Sequence, residues 1–240
     1  MRLPLFIVAE VPAEGEALRL DGLRGSRAVR ARQVHPGQTL LLGDGRGGTA
    51  TAVVTASTGG RLDLVVGAHA AAPRPHPRLV VIQHVADPHR DALAVAELTE
   101  LGADEIAPLA PEAVADRLEA RGGARVAYWQ ALAREAAERS GRRWLPRIWP
   151  VYRAVTVLRR FQWGATGFVL DGTATADLST VDIPQVGELV LVAGEQSILA
   201  AAEIAAVGYA VRVRRGEHVA SSRSAAIAAT ATLAARLGRD

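Results

Sequence analysis

Three short stretches concentrate the side chains that could do chemistry. AGEQS (193–197) places Glu195 and Gln196 directly after Gly194, where an apolar run ends. RGEHVASSRSAA (215–226) gathers Arg215, His218, Ser221, Ser222, Arg223 and Ser224 at the opening of an Ala-rich helix. REAAERSGRRW (134–144) carries Arg139 and Arg142 to a helix end. A strand that stops at glycine and hands over to a helix aims backbone N–H groups at a ligand, although a plain strand–turn–helix has the same outline. One serine is enough to cap a helix, so three serines around one arginine exceed what a cap needs. His218 has the chemistry of a general base. The arginines at the helix end either complement its dipole or grip an anion. No second histidine sits at metal-ligand spacing from His218 and there is no cysteine, so no metal site is expected. The dinucleotide fingerprint GxGxxG is absent.

Two kinds of sequence surround these stretches. Residues 1–72 read as short strands, with LPLFIVAEV, QTLLLGD, GTATAVVTAS and RLDLVVGAHA separated by HPG, GDGRGG and TGG. One short helix fits near 24–32. This is the pattern of a small β-barrel. The proline-rich AAPRPHPR (71–78) then makes a linker. From RLVVIQHV onward, continuous apolar runs alternate with helical patterns, as in a buried parallel sheet. Ala94, Val95, Leu98 and Leu101 share one helical face, and Gly102 ends that helix. TGFVLDG, GELVLVAGE and YAVRVRRGE are strand-to-loop junctions, with the helix ILAAAEIAAVG between the last two. Ligands of such sheets bind beyond the carboxyl ends of the strands. That directs attention to Asp171–Thr173, Gly194–Ser197 and Gly216–Ser224. Trp129, Trp144, Trp149 and Trp163 suit a core, a dimer interface or a pocket for a planar group.

Composition narrows the class. The 240 residues are 49% hydrophobic and 22% charged, which excludes disorder and supplies a core. No apolar run has the length of a membrane span. The N-terminus reads as a first strand, not a signal peptide, and the absence of cysteine fits a cytoplasmic protein. All 28 basic residues are arginine, so no lysine amine is available for Schiff-base work. The net charge of +3 is too small to argue for nucleic acid by itself.

The order of LTELGADEIAPL, EAAERSGRRWLP, LVLVAGEQ and RGEHVASSRSAA behind a barrel resembles the small-subunit rRNA uridine-N3 methyltransferase family, the RsmE type of the SPOUT trefoil-knot superfamily. The likeness covers the whole chain. HPGQTLLLGDGRG and Arg32 resemble the PUA-like barrel. Thr99, Glu100, Leu101 and Gly102 match T-E-L-G. Glu135, Ala136, Ser140, Arg142 and Pro146 match the helix and its exit. The resemblance implies an α/β fold, with a SPOUT trefoil-knot methyltransferase domain over 73–240 and an N-terminal PUA-like β-barrel over 1–72. It also implies S-adenosylmethionine as cofactor, held by loops of the knot, and a homodimer. The implied cofactor residues are Leu170, Asp171, Gly172, Ala193, Gly194, Glu195, Gln196, Arg215, Gly216, Val219, Ala220, Ser222 and Ser224.

The departures from the family concern the acceptor. G-P-E-G-G stands here as Gly194–Ile198, keeping only the first glycine. L-R-T-E-T-A stands as Ala220–Ala225, with Ser221 for arginine and Arg223 for glutamate. A lysine position holds Asp87, and a glutamine position holds Arg139. Exchanged charges at the acceptor and a lost phosphate contact favour methyl transfer to a small heterocyclic or aromatic metabolite. Arg223 would orient it, His218 or Glu195 would act as base, and Ser221, Arg139 and Arg142 would add substrate contacts. The alternatives are uridine-N3 methylation of small-subunit rRNA and a non-catalytic RNA-binding relative.

Overall fold

The structure is a computed structural model that describes residues 2–22, 25, 34–85, 88–120, 123–193, 210–214 and 222–239. Most of the helix expected near 24–32 and all of the helix ILAAAEIAAVG lie outside these residues, as do residues 194–209 and 215–221 of the expected knot. The chain divides into two compact units, one of residues 1–74 with 137–145 and the other of 75–136 with 146–240.

The first unit is a barrel-like sheet of β1 (Leu5–Ile7), β2 (Ala17–Leu20), β3 (Thr39–Gly43), β4 (Gly48–Thr58) and β5 (Arg61–Ala71), in the order β1-β3-β4-β5-β2. Only β1 and β3 run parallel. Alternation sends Leu40 and Leu42, Ala50, Ala52 and Val54, and Leu62, Leu64 and Val66 to one buried cluster. Register shifts between β4 and β5 bend the long hairpin. The turn GDGRGG is tied by Asp44, whose carboxylate accepts N–H bonds from Arg46 (2.6 Å) and Gly48 (3.0 Å).

The second unit is a parallel sheet of six strands: β6 (Arg78–His84), β7 (Glu105–Leu109), β8 (Arg147–Ile148), β9 (Thr166–Asp171), β10 (Glu188–Ala193) and β11 (Ala210–Arg214). Their order is β11-β9-β10-β6-β7-β8. Strand alternation sorts this core into two faces. Leu79, Val81, Phe168, Leu170, Leu189 and Leu191 bury on one, and Val80, Ile82, Val169, Val190 and Val192 on the other. The first face is covered by α1 (Pro88–Glu100), by α5 (Ser222–Arg236) and by Trp129 and Ala133 of α3 (Ala124–Ser140). The second is covered by α4 (Ala154–Gln162), through Val157 and Phe161. Helix α2 (Glu112–Ala120) follows β7. Small residues on one face of α5, Ala225, Ala226 and Ala229, let it approach the sheet and α1.

The T-E-L-G stretch is a helix stop. Gly102 takes φ +93°, its N–H bonds the Thr99 carbonyl, and the Ala103 N–H bonds that of Leu98. That is a Schellman ending, which favours glycine at this position. AVTVLRRFQ, whose β-branched residues suit a strand, is helix α4, because Val157 and Phe161 fall four residues apart on its buried face. In β11, last in the order of the described sheet, Val213 is buried and Val211 exposed.

Candidate functional site

The register of the second sheet brings its candidate loops to one edge. Val192 pairs with Val169, Ala193 with Gln83, Leu170 with Val213 and Asp171 with Arg214. The carboxyl ends of β6, β10, β9 and β11 are therefore level and adjacent. Leu170, Ala193 and Val213 are buried at these strand ends in the core that α1 and α5 cover, and the polar Gln83 and His84 at the end of β6 are buried as well.

The loop after β9 is stiffened by its own side chains. The Asp171 carboxylate accepts bonds from the Thr173 N–H (2.7 Å) and hydroxyl (2.9 Å), which fixes the turn at the exposed Gly172. Asp177 repeats the device with Ser179, at 2.9 Å from the N–H and 2.7 Å from the hydroxyl. These two bonds hold the Asp177 carboxyl below the usual carboxylate range. The loop then returns along β11, where the Arg214 N–H bonds the Ala176 carbonyl at 2.8 Å and Ala176 bridges Val213. Arg236 of α5 holds the Leu178 carbonyl at 2.7 Å. The ordered loop extends beyond Thr173. The D-x-T and D-x-S spacings of DGTATADLS were the available sign that the ordered loop runs further.

Arg223 sits in the first turn of α5, and its guanidinium forms a two-pronged pair with Glu97 of α1. The contacts are Nη2–Oε1 2.7 Å, Nη2–Oε2 2.9 Å and Nε–Oε2 3.1 Å. Both side chains are about a third exposed, at 30% and 39%. A cation in the first turn of a helix opposes the helix dipole, and the Glu97 carboxylate offsets this. A carboxylate thus stands beside position 223 even though the residue there is arginine. Ser224 is exposed on the same turn, and the backbone of Ser222 opens the helix. Gly194, Glu195, Gln196, Arg215, Gly216, His218, Val219, Ala220 and Ser221 lie outside the described residues. Arg139 and Arg142 belong to the first unit, on either side of the glycine stop that ends α3. The tryptophans separate. Trp129 is core, Trp144 donates its Nε1–H to the Ala72 carbonyl at 3.1 Å, and Trp149 and Trp163 line a cavity at the opposite, amino end of the second sheet. No cluster of potential metal ligands occurs among the described residues. No described helix is long and apolar enough to cross a membrane.

The model of a family described as an RNA methyltransferase domain matches residues 73–234. Along 94% of its length the chain is 33% identical to ribosomal RNA small subunit methyltransferase E of Mycobacterium bovis, covering 88% of that protein. The Mycobacterium tuberculosis protein of the same name matches equally. Among solved structures, the chain is similar to ribosomal RNA small subunit methyltransferase E from Neisseria gonorrhoeae bound to S-adenosyl methionine. That match has a TM-score of 0.81 at 22% identity and covers 98% of both chains. It is also similar to the Legionella pneumophila methyltransferase Lpg2936 with its bound cofactor SAM, at a TM-score of 0.76 and 17% identity over 100% of this chain and 98% of that one. These two structures share the mixed α/β fold and the barrel-like sheet described above.

Proposed function

Because the chain belongs to the RsmE-type RNA methyltransferase family, we propose that it transfers a methyl group from S-adenosylmethionine to a uridine N3 of small-subunit rRNA, as a cytoplasmic homodimer. What carries the reading is the likeness to a small-subunit rRNA methyltransferase along nearly the whole chain, barrel included. The smaller-acceptor reading rested on rewritten loop residues, and the comparisons do not support it. Its central premise, a reversed charge at position 223, is weakened by the Glu97 carboxylate paired with Arg223.

The residues present fit the cofactor. Leu170 and Ala193 end their strands in the buried core, and Asp171 and Gly172 open a loop whose backbone the bonds to Thr173 already fix. Gly194, Glu195, Gln196, Arg215, Gly216, Val219, Ala220, Ser222 and Ser224 belong to the segments that would complete the holding site. When bound, S-adenosylmethionine supplies a methyl group already activated on a sulfonium. The protein's tasks are to hold the acceptor nitrogen in line, to keep water out and to remove the N3 proton. Glu195 and His218 are the proposed proton acceptors. Arg223 is a positioning residue that, through Glu97, fixes the start of α5 and with it Ser224, and Ser221 is proposed as a substrate contact. Arg139 and Arg142 are proposed to contact the RNA backbone.

The test is transfer of labelled methyl groups from S-adenosylmethionine to small ribosomal subunits from a strain lacking its own enzyme of this type, run beside a panel of free heterocycles. Label at N3 of one uridine is expected. Label on a heterocycle with none in rRNA would overturn the proposal.

A further inference from the structure

At the amino ends of the second unit's strands, on the edge opposite the proposed cofactor loops, lies a cavity of about 630 Å³ between the sheet and α4. Its floor is a closed charge network. Glu105, with a side chain only 2% exposed, pairs with Arg78 (2.7 Å) and Arg160 (2.6 Å) and accepts the Trp149 Nε1–H at 2.6 Å. Glu188 pairs with Arg78 and with Arg160 (3.0 Å), and Arg160 also donates to the Tyr152 hydroxyl at 3.0 Å. The two glutamates thus answer the charges of Arg78 and Arg160. Arg147 and Arg159, both exposed and also lining the cavity, have no carboxylate partner among the described residues. Arg147 lies flat over the Trp149 ring, 3.5 Å from its centroid. Trp163, a further wall, is 83% exposed.

A rigid floor, two guanidinium groups without a carboxylate partner and the exposed Trp163 indole are the equipment for a group that is both aromatic and anionic. We propose that this cavity is a second RNA site, in which one unpaired nucleotide of the substrate strand stacks on Trp163 while its flanking phosphates meet Arg147 and Arg159. A second copy of the chain fits less well, because a two-fold contact through this patch would set Arg147 and Arg159 against themselves. The edge-to-edge distance along β10 is about 20 Å, which a few nucleotides of single strand can cross. This inference rests on the RNA reading proposed above.

The experiment titrates the full-length protein with a six-nucleotide single-stranded RNA and, separately, with uridine monophosphate, following tryptophan fluorescence. Trp163→Ala and Arg147→Ala/Arg159→Ala serve as variants, with folding checked by circular dichroism. The six-mer is expected to quench the wild type. Trp163→Ala should bind about tenfold or more weakly, and the double arginine variant should flatten the log affinity against log salt slope by about 0.7 per arginine. Six-mer binding unchanged in both variants would overturn the site. So would equal affinity for uridine monophosphate, or a change of oligomeric state in Trp163→Ala. Methyl transfer to rRNA is measured on the same preparations. Wild-type transfer alongside unaltered six-mer binding in the variants would sink this site alone, whereas no transfer by the wild type would sink the RNA reading beneath it.

Discussion

Two side chains carry most of the residue-scale chemistry that the described structure adds. Arg223 is bound to Glu97 across 126 positions of sequence, and both groups keep partial access to water. A double-mutant cycle on Arg223→Ala and Glu97→Ala should give a coupling of about 0.5–1 kcal/mol in denaturant unfolding. If Arg223 positions α5, Arg223→Ala and Glu97→Ala should lower methyl transfer to a similar extent. A loss confined to Arg223→Ala would point to direct contact with the acceptor. Tyr152 gives a pH signature. Burial pushes its phenol up, with Arg160 partly opposing. The unfolded chain therefore loses this proton first, and the contribution falls as pH rises from about 10. Tyr152→Phe should cost about 1 kcal/mol near neutrality through the lost Arg160 bond, and the gap to the wild type should narrow above pH 10 in thermal melts. With no lysine in the chain, only the three tyrosines titrate there, which keeps the measurement clean. The sequence showed that position 223 held an unusual charge. It could not show the partner, because a pair so distant along the chain exists only once α1 and α5 have packed.

At the scale of elements, local pattern was legible wherever it agreed with packing. The apolar runs became β6, β9 and β10, and the glycine of T-E-L-G ended α1 as its capping role demands. Helix α4 was not legible, since its β-branched AVTV favours strand on propensity and only the burial of Val157 and Phe161 decides for helix. β1 falls within the apolar run LPLFIVAEV, whereas the four-residue β2 is too short for alternation to register. The GDGRGG turn reads as a hairpin from its glycines, yet its reason is tertiary. At Gly47, φ is +94°, and an added Cβ would stand 2.6 Å from both the Trp144 ring and the Ala72 carbonyl. Gly47→Ala should cost about 2 kcal/mol or more, from the left-handed backbone and the collision together. A shift of the denaturant midpoint would measure it, and wild-type stability would mean that the Trp144 stretch can move aside.

For the whole molecule, the chain is fastened at points far apart in sequence. In the second unit the Arg239 guanidinium holds the Gly102 carbonyl (2.6 Å), the Asp104 carboxylate (2.7 Å) and the Pro77 carbonyl, tying the C-terminal end to the α1 stop and the start of β6. Arg239→Ala should cost about 3 kcal/mol, because Asp104 remains largely buried without its cation. Arg239→Lys should recover part of this, since one ammonium cannot reach as many acceptors. In the first unit the equivalent ties come from 137–145. The Glu138 carboxylate accepts the Ile7 N–H at 3.0 Å, the Arg143 carbonyl accepts the Gly47 N–H at 3.1 Å, and the Leu145 N–H meets the Gly45 carbonyl at 2.9 Å. That arrangement has a consequence for how the chain is made. During synthesis the first 74 residues emerge complete in sequence but incomplete in structure. Their last partners are still inside the ribosome until residue 145 has been joined and cleared the tunnel. The barrel-like sheet therefore waits for a stretch made about 60 residues after its own last strand before its contacts can close.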